Sequence, residues 1–263
     1  MQLEVAGRAV FAGTGGAAFE PGRAPVVFLH GAGMDHSVWA TPARYFAHHG
    51  HGVLAPDLPG HGRSPGPPLD RVPGLADWLL ALLDAARIER AMLVGHSMGA
   101  AIALEFTARH PERVRKLALL GAALRFPVNP RLLEAARSGQ RLAAELMTAW
   151  GHDRRRQLGG HRMPGLWMLG ASLRLIETMA PGVLFADLSA VAAYEGGQQA
   201  ARKVACPALV VIGEYDLMTT PKAGHELAAL LAGCRTEIID EAGHMMMIEQ
   251  PDATLDALRE FLR

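Results

Sequence analysis

The chain has 263 residues, half of them hydrophobic and a fifth charged, which is the composition of a soluble protein with a large core. Its 26 basic and 26 acidic residues cancel to zero formal charge, so bulk electrostatics favour neither nucleic acid nor a membrane surface as partner. Two cysteines, Cys206 and Cys234, the lack of a signal-peptide-like start and the lack of any run of ~18 uncharged apolar residues lead us to expect a cytoplasmic location.

Residues 1–20 read as a β-hairpin region, with Gly13, Gly15 and Gly16 marking a turn. Six short apolar runs follow: PVVFLHGAG (25–33), VLAPDLPGHG (53–62), AMLVGHSMG (91–99), RKLALLGAA (115–123), PALVVIGEYD (207–216) and TEIIDEAGH (236–244). Helix-like stretches lie between several of them. Residues 71–88 carry Leu75, Trp78, Leu79, Leu82 and Leu83 at helical spacing, and 100–110, 222–232 and 252–262 are others. The alternation predicts an α/β fold, a mainly parallel sheet flanked by helices, because strands apolar on both faces need cover on both. Residues 125–203 break the pattern. They hold no strand-like run and predict helices over 131–149, 166–179 and 187–202, broken at Pro164 and Pro181. We expect a helical cap there, inserted into a core made of 1–124 and 204–263.

Gly95-His96-Ser97-Met98-Gly99 fits G-x-S-x-G at the junction of a strand and a helix. A hydroxyl at the tip of so tight a turn needs positive φ at the serine, and side chains two residues away on either side would collide, hence the glycines. With 29 glycines in the chain a chance match is a real risk, and the strand-to-helix context is what raises the motif above it. A nucleophilic serine needs a base, and the base an orienting acid. His244, in the loop after the last strand run, is the candidate base. Asp216, ending PALVVIGEYD, is the candidate acid. Glu214 and Asp240 are weaker alternatives, and Asp57 lies on the wrong side of the serine in the chain.

The motifs FLHGAGMDHSVW (28–39), APDLPGHGRS (55–64), LVGHSMGAA (93–101), VVIGEYDLMTTP (210–221) and EAGHMMMIEQP (241–251), in this order over nearly the whole chain, resemble the α/β-hydrolase fold superfamily, in its serine esterase and enol-lactonase-like branch. The resemblance implies a triad of Ser97, Asp216 and His244, and an oxyanion hole from the backbone amides of Ala32 and Met98. It gives His30 a bracing role, and His61 reads as structural. It implies no cofactor and no metal. The cluster His48, His49 and His51 sits where a helix should end and reads as a solvated helix end.

Trp39, Trp150, Trp167 and Met245 are candidates for an apolar pocket wall, although each could equally be ordinary core. The cap residues Leu166, Met168, Leu169, Met179, Leu184 and Phe185 are expected to join that wall. Arg154, Arg155 and Arg156 are expected to face solvent. The expected partner is a small-molecule substrate, a largely apolar, neutral ester or lactone. Carbon–carbon bond hydrolysis or acyl transfer on the same triad, and a non-catalytic binding protein of the same fold, are the alternatives. The oligomeric state is not readable from the sequence.

Overall fold

A computed structural model describes residues 1–157 and 167–263; the expected break at Pro164 and the wall residue Leu166 lie outside them. The first hairpin pairs β1 (Gln2–Val5) with β2 (Arg8–Gly13). Its turn is Ala6-Gly7, both at positive φ, as two-residue hairpin turns require; Gly13 ends β2, and Gly15 and Gly16 follow it.

Each of the six apolar runs carries a strand, and each strand stops before the end of its run. They are β3 (Val26–Leu29), β4 (Val53–Pro56), β5 (Ala91–His96), β6 (Val114–Leu120), β7 (Ala208–Gly213) and β8 (Arg235–Ile239). Of these, β6 and β8 start one residue ahead of their runs. The sheet order is β1-β2-β4-β3-β5-β6-β7-β8, parallel from β4 to β8. The register puts Leu29 beside Gly95, His96 beside Leu120, and Gly213 beside Ile239. The tails carrying Ala32, Ser97, Asp216 and His244 therefore emerge at one edge, the carboxyl ends of parallel strands, where such sheets place ligands.

Alternate strand residues feed two cores, one on each face. Val27, Leu29 and Leu93 pack with α2 (Val72–Ala85) and α3 (Met98–Arg109). Val26, Phe28, Met92 and Val94 pack with α1 (Ala40–His48) and with α11 (Pro251–Leu262), the last helix of the chain. Trp39 belongs to this second core. It is fully buried with its ring 5.2 Å from Phe28, so it is a packing residue and not the pocket wall expected of it.

Among the described residues, the chain between β6 and β7 is helical, without strands: α4 (Pro130–Arg137), α5 (Arg141–Gly151), α6 (Met168–Glu177), α7 (Val183–Ala192) and α8 (Gly197–Ala201). The helix expected over 131–149 is two, because Gly139 takes φ 63° and ends the first in the left-handed region. The helix expected over 187–202 is also two, with the first beginning earlier, at Val183. After β7 come α9 (Pro221–Ala228) and, after β8, the short α10 (Met246–Glu249).

Candidate active site

Ser97 takes φ 53°, a strained value for a residue with a side chain. A Cβ on Gly95 would lie 2.3 Å from the carbonyl oxygen of Gly99, and one on Gly99 would lie 2.2 Å from that of Leu29. Both positions therefore exclude every residue but glycine, as the steric reading of the motif requires. The Ser97 amide donates to Leu120 O at 3.0 Å, and its carbonyl accepts from Ala100 and Ala101 at the start of α3. Met98, the first residue of α3, has an amide without an intrahelical acceptor, available to a charge developing beside Ser97.

His244 Nδ1–H donates to Asp216 Oδ2 at 2.8 Å, both side chains being buried. That bond places the proton of a neutral imidazole on Nδ1 and leaves Nε2 as acceptor. Asp216 also accepts from the amides of Met218 and Thr219 and from Thr219 Oγ1, each at 2.8 Å. Burial alone would raise its pKa; the nearby His244 and the Thr219 bonds outweigh it and hold the carboxyl below its ordinary range, so it stays ionised. The weaker alternatives lie elsewhere. Asp57 accepts from His36 and from the Arg63 amide, the Glu214 carboxylate accepts from the Glu241 amide, and Asp240 is exposed.

Several bracing residues escaped the sequence reading. Thr219 is one; its signal is the turn in which Asp216 bonds the backbone two and three residues on. His96 Nε2 donates to the His244 carbonyl at 2.9 Å. Burial, then the neighbouring His244, lower its pKa to about 3, so it is a neutral strut. Glu249, in α10, accepts from the amides of Gly243 and Asp153, tying the His244 loop to the end of α5. Burial pushes its carboxyl up to about 7. Asp187, in α7, reaches the opposite loop. Its Oδ2 accepts from the Gly33 amide and from His61 Nε2, both at 2.8 Å. His61 Nδ1 faces the Pro59 carbonyl at 3.1 Å, so both ring nitrogens meet acceptors. Burial would lower the His61 pKa, but the Asp187 charge and hydrogen bond outweigh it and raise it. His30 donates from Nδ1 to the Gly31 carbonyl and accepts at Nε2 from the Leu58 amide, the bracing role expected of it.

Two pockets meet at Ser97. Both are lined by Ala32, Ser97, Met147, Met218 and His244. The first is narrow, about 20 Å³, and is otherwise walled largely by Met34, Leu175, Ile176 and Met245. The second is a wide cleft of about 580 Å³ that includes Phe126, Leu132, Trp150, Leu188, Arg125 and Arg154. Trp150 and Met245 thus line pockets as expected. Trp167 does not. It is 66% exposed with its ring folded against Gly170, so it offers no wall to either pocket. Met168, Leu169, Met179, Leu184 and Phe185 are likewise absent from both linings, since α6 and α7 turn other residues inward. The arginine triplet divides. Arg154 and Arg155 are exposed, as expected, although Arg155 also pairs with Asp153 and stacks on Tyr215 and Arg154 also borders the cleft, whereas Arg156 is half-buried against Glu241, contrary to the expectation that it faces solvent. Gly33 has its amide bonded to Asp187, which leaves Ala32 as the loop residue that lines both pockets beside Ser97.

No described helix is long and apolar enough to cross a membrane. A pimeloyl-[acyl-carrier protein] methyl ester esterase of Aromatoleum aromaticum is 30% identical over 257 residues, covering 92% of this chain and 99% of its own. An (E)-2-((N-methylformamido)methylene)succinate hydrolase of Acinetobacter baylyi is 26% identical over 253 residues, covering 93% of this chain and 92% of its own. Among solved structures, the enol-lactonase from Burkholderia xenovorans LB400 superposes with a TM-score of 0.89 at 27% identity, covering 100% of this chain and 99% of the other. The alpha/beta hydrolase fold family model matches residues 24–251, and with the sheet and its strand-end loops as described, the chain belongs to that family, as a hydrolase.

Proposed function

We propose that this hydrolase cleaves a small carboxylic ester or lactone through an acyl-enzyme on Ser97. The observation that carries the reading is the buried Asp216–His244 hydrogen bond, which aims an unprotonated imidazole nitrogen into the pocket that the strained Ser97 also lines. His244 Nε2 takes the Ser97 proton as Oγ attacks the carbonyl carbon. The amides of Ala32 and Met98 receive the oxyanion. The imidazolium, stabilised by Asp216, returns the proton to the departing alkoxide, and water repeats the sequence to release the acid. The described part of residues 125–203 acts as the cap, since α5 and α6 supply Met147, Gly151, Leu175 and Ile176 to the narrow pocket's wall. The names of the relatives, two of which act on an ester or a lactone, support the same chemistry.

A second reading has one observation in its favour. Among the described residues, Arg125 and Arg154 line the wide cleft and no carboxylate does, so the alcohol side of the substrate, or the far end of a lactone, carries an acid. A panel of aryl esters and lactones, neutral and acid-bearing, separates the two readings. A preference for the acid-bearing members that vanishes in Arg125→Gln/Arg154→Gln selects the second. In either case Ser97→Ala lowers kcat by roughly 10⁴–10⁶ in a folded protein, and retention of more than about a tenth of the activity removes the serine mechanism. Absence of turnover across the panel favours the non-catalytic binder; turnover confined to diketone-like acids favours carbon–carbon cleavage.

A further inference from the structure

The loop that carries Ala32 lies directly against the proposed nucleophile. A Cβ on Gly31 would sit 3.2 Å from Ser97 Cβ and 2.9 Å from His96 Nδ1. Two hydrogen bonds fix how the peptide planes of this loop are turned. His30 Nδ1 donates to the Gly31 carbonyl at 2.9 Å. In a trans peptide the N–H points opposite to the C=O, so the Ala32 N–H is directed away from the His30 ring. The next plane is fixed at its other end, where the Gly33 amide donates to Asp187 Oδ2 at 2.8 Å. The first bond is local to the loop. The second comes from α7, 154 residues on.

Asp187 is itself held in place. It is buried, and the same Oδ2 accepts from His61 Nε2, also buried. The His61 ring lies 4.9 Å from that of His30, whose Nε2 accepts from the Leu58 amide. The carboxylate and the two histidines therefore form one packed unit beside the loop. The helical segment also presses on the loop directly. Leu184 Cδ1 and Ile176 Cγ1 stand 3.0 and 3.6 Å from where a Gly33 Cβ would be. Gly31 and Gly33 flank Ala32 with the backbone freedom of glycine, and Gly33 takes φ 65°, so the loop has little stiffness of its own. Its conformation depends on what holds it from outside.

We infer that Asp187 is a positioning residue for the oxyanion hole: through its bond to the Gly33 amide, this carboxylate of the helical segment sets where the Ala32 amide points. The inference rests on the ester reading of Ser97 and adds to it a share in the rate for one side chain far from the reacting atoms. A donor displaced by about 1 Å loses most of its worth to the transition state, while binding of the ground-state ester hardly changes. The signature is a fall in kcat at constant KM.

The test pairs 4-nitrophenyl butanoate with its thiono ester, which has C=S in place of C=O. Sulfur is a larger and weaker hydrogen-bond acceptor than oxygen, so an intact hole favours the oxo ester and a displaced one does not. In the parent, the oxo/thiono ratio of kcat/KM should be roughly ten or more. Asp187→Ala should lower kcat on the oxo ester roughly 10²-fold at similar KM and bring the ratio towards one. The ratio does not depend on how much of a preparation is folded, so it separates positioning from stability. Where Asp187→Ala yields no folded protein, Asp187→Ser is read instead. Its hydroxyl remains in the buried site but stops one bond short of the Gly33 amide, and the same fall is expected. Asp187→Asn can keep an oxygen at the Oδ2 position for both donors and should stay within about threefold of the parent in kcat and in the ratio. A ratio unmoved in Asp187→Ala or Asp187→Ser, a loss confined to KM, or an Asp187→Asn protein as slow as Asp187→Ala would overturn the inference and leave the ester reading standing. A parent that hydrolyses esters without preferring the oxo form would overturn it as well. A parent that hydrolyses neither ester would overturn the ester reading of Ser97 and this inference with it.

Discussion

The strand-end loops and the helical segment between β6 and β7 build the same pocket by different means. In the loops, backbone sterics fix position. Gly95 and Gly99 admit no side chain, and Asp216 is held by the two amides that follow it in the chain. In the helical segment, position comes from side chains reaching across the molecule. Asp187 bonds the Gly33 amide 154 residues away, and Glu249 bonds the Asp153 amide 96 residues away. The proposed reactive groups sit on the locally determined part; pocket shape depends on the long-range part. The chemistry is accordingly the more constrained of the two, and specificity is the quantity that a few substitutions can change.

The largest expected effect belongs to the loops. Asp216→Asn keeps the shape but lets the His244 tautomer invert, and kcat should fall roughly 10³–10⁴-fold with the fold intact. Near-normal activity in that variant, with Glu214→Gln or Asp240→Asn inactive, would reassign the acid.

Next comes the tie from α7. Asp187→Ala leaves a buried His61 and the Gly33 amide without their acceptor and should cost about 3–5 kcal/mol in chemical denaturation. The pH dependence follows from the raised His61 pKa. The stability that this pair contributes is full below the ordinary histidine value of ~6.5 and is lost as pH rises through the raised folded-state value. Asp187→Asn should remove that decline. Parallel stability–pH curves for parent and variant would show that the pair carries no charge.

Two tryptophans separate an effect of similar size from the smallest one. Trp39→Ala opens the core beneath α1 and should cost about 3–5 kcal/mol. Trp167→Ala, on an exposed ring, should change stability by less than about 0.5 kcal/mol and leave acyl-chain ranking unaltered. A changed ranking would bring Trp167 back to the pocket.

These contrasts also mark what was legible in the sequence. The six strands, the Gly95–Gly99 turn and the positions of Asp216 and His244 follow from short patterns whose physics is local. Residue type alone could not tell Trp39 from Trp167, since an aromatic side chain reads the same in a core, a pocket or on a surface. Arg154 looked like one of three equivalent cations until Asp153, Tyr215 and Glu241 had drawn its neighbours away. The split at Gly139 was hidden among strong helix formers on both sides. Asp187, and the bond from Glu249 to the Asp153 amide, gave no signal, because those amides are distant in the chain.

The central claim is that Ser97 is the nucleophile, activated by His244. Its most direct test is covalent labelling with a fluorophosphonate, followed by mass spectrometry of the intact chain and of its peptides. The account predicts one label per chain, on Ser97, absent in Ser97→Ala and strongly slowed in His244→Ala. No labelling of the folded parent, or labelling that persists in Ser97→Ala, would contradict it.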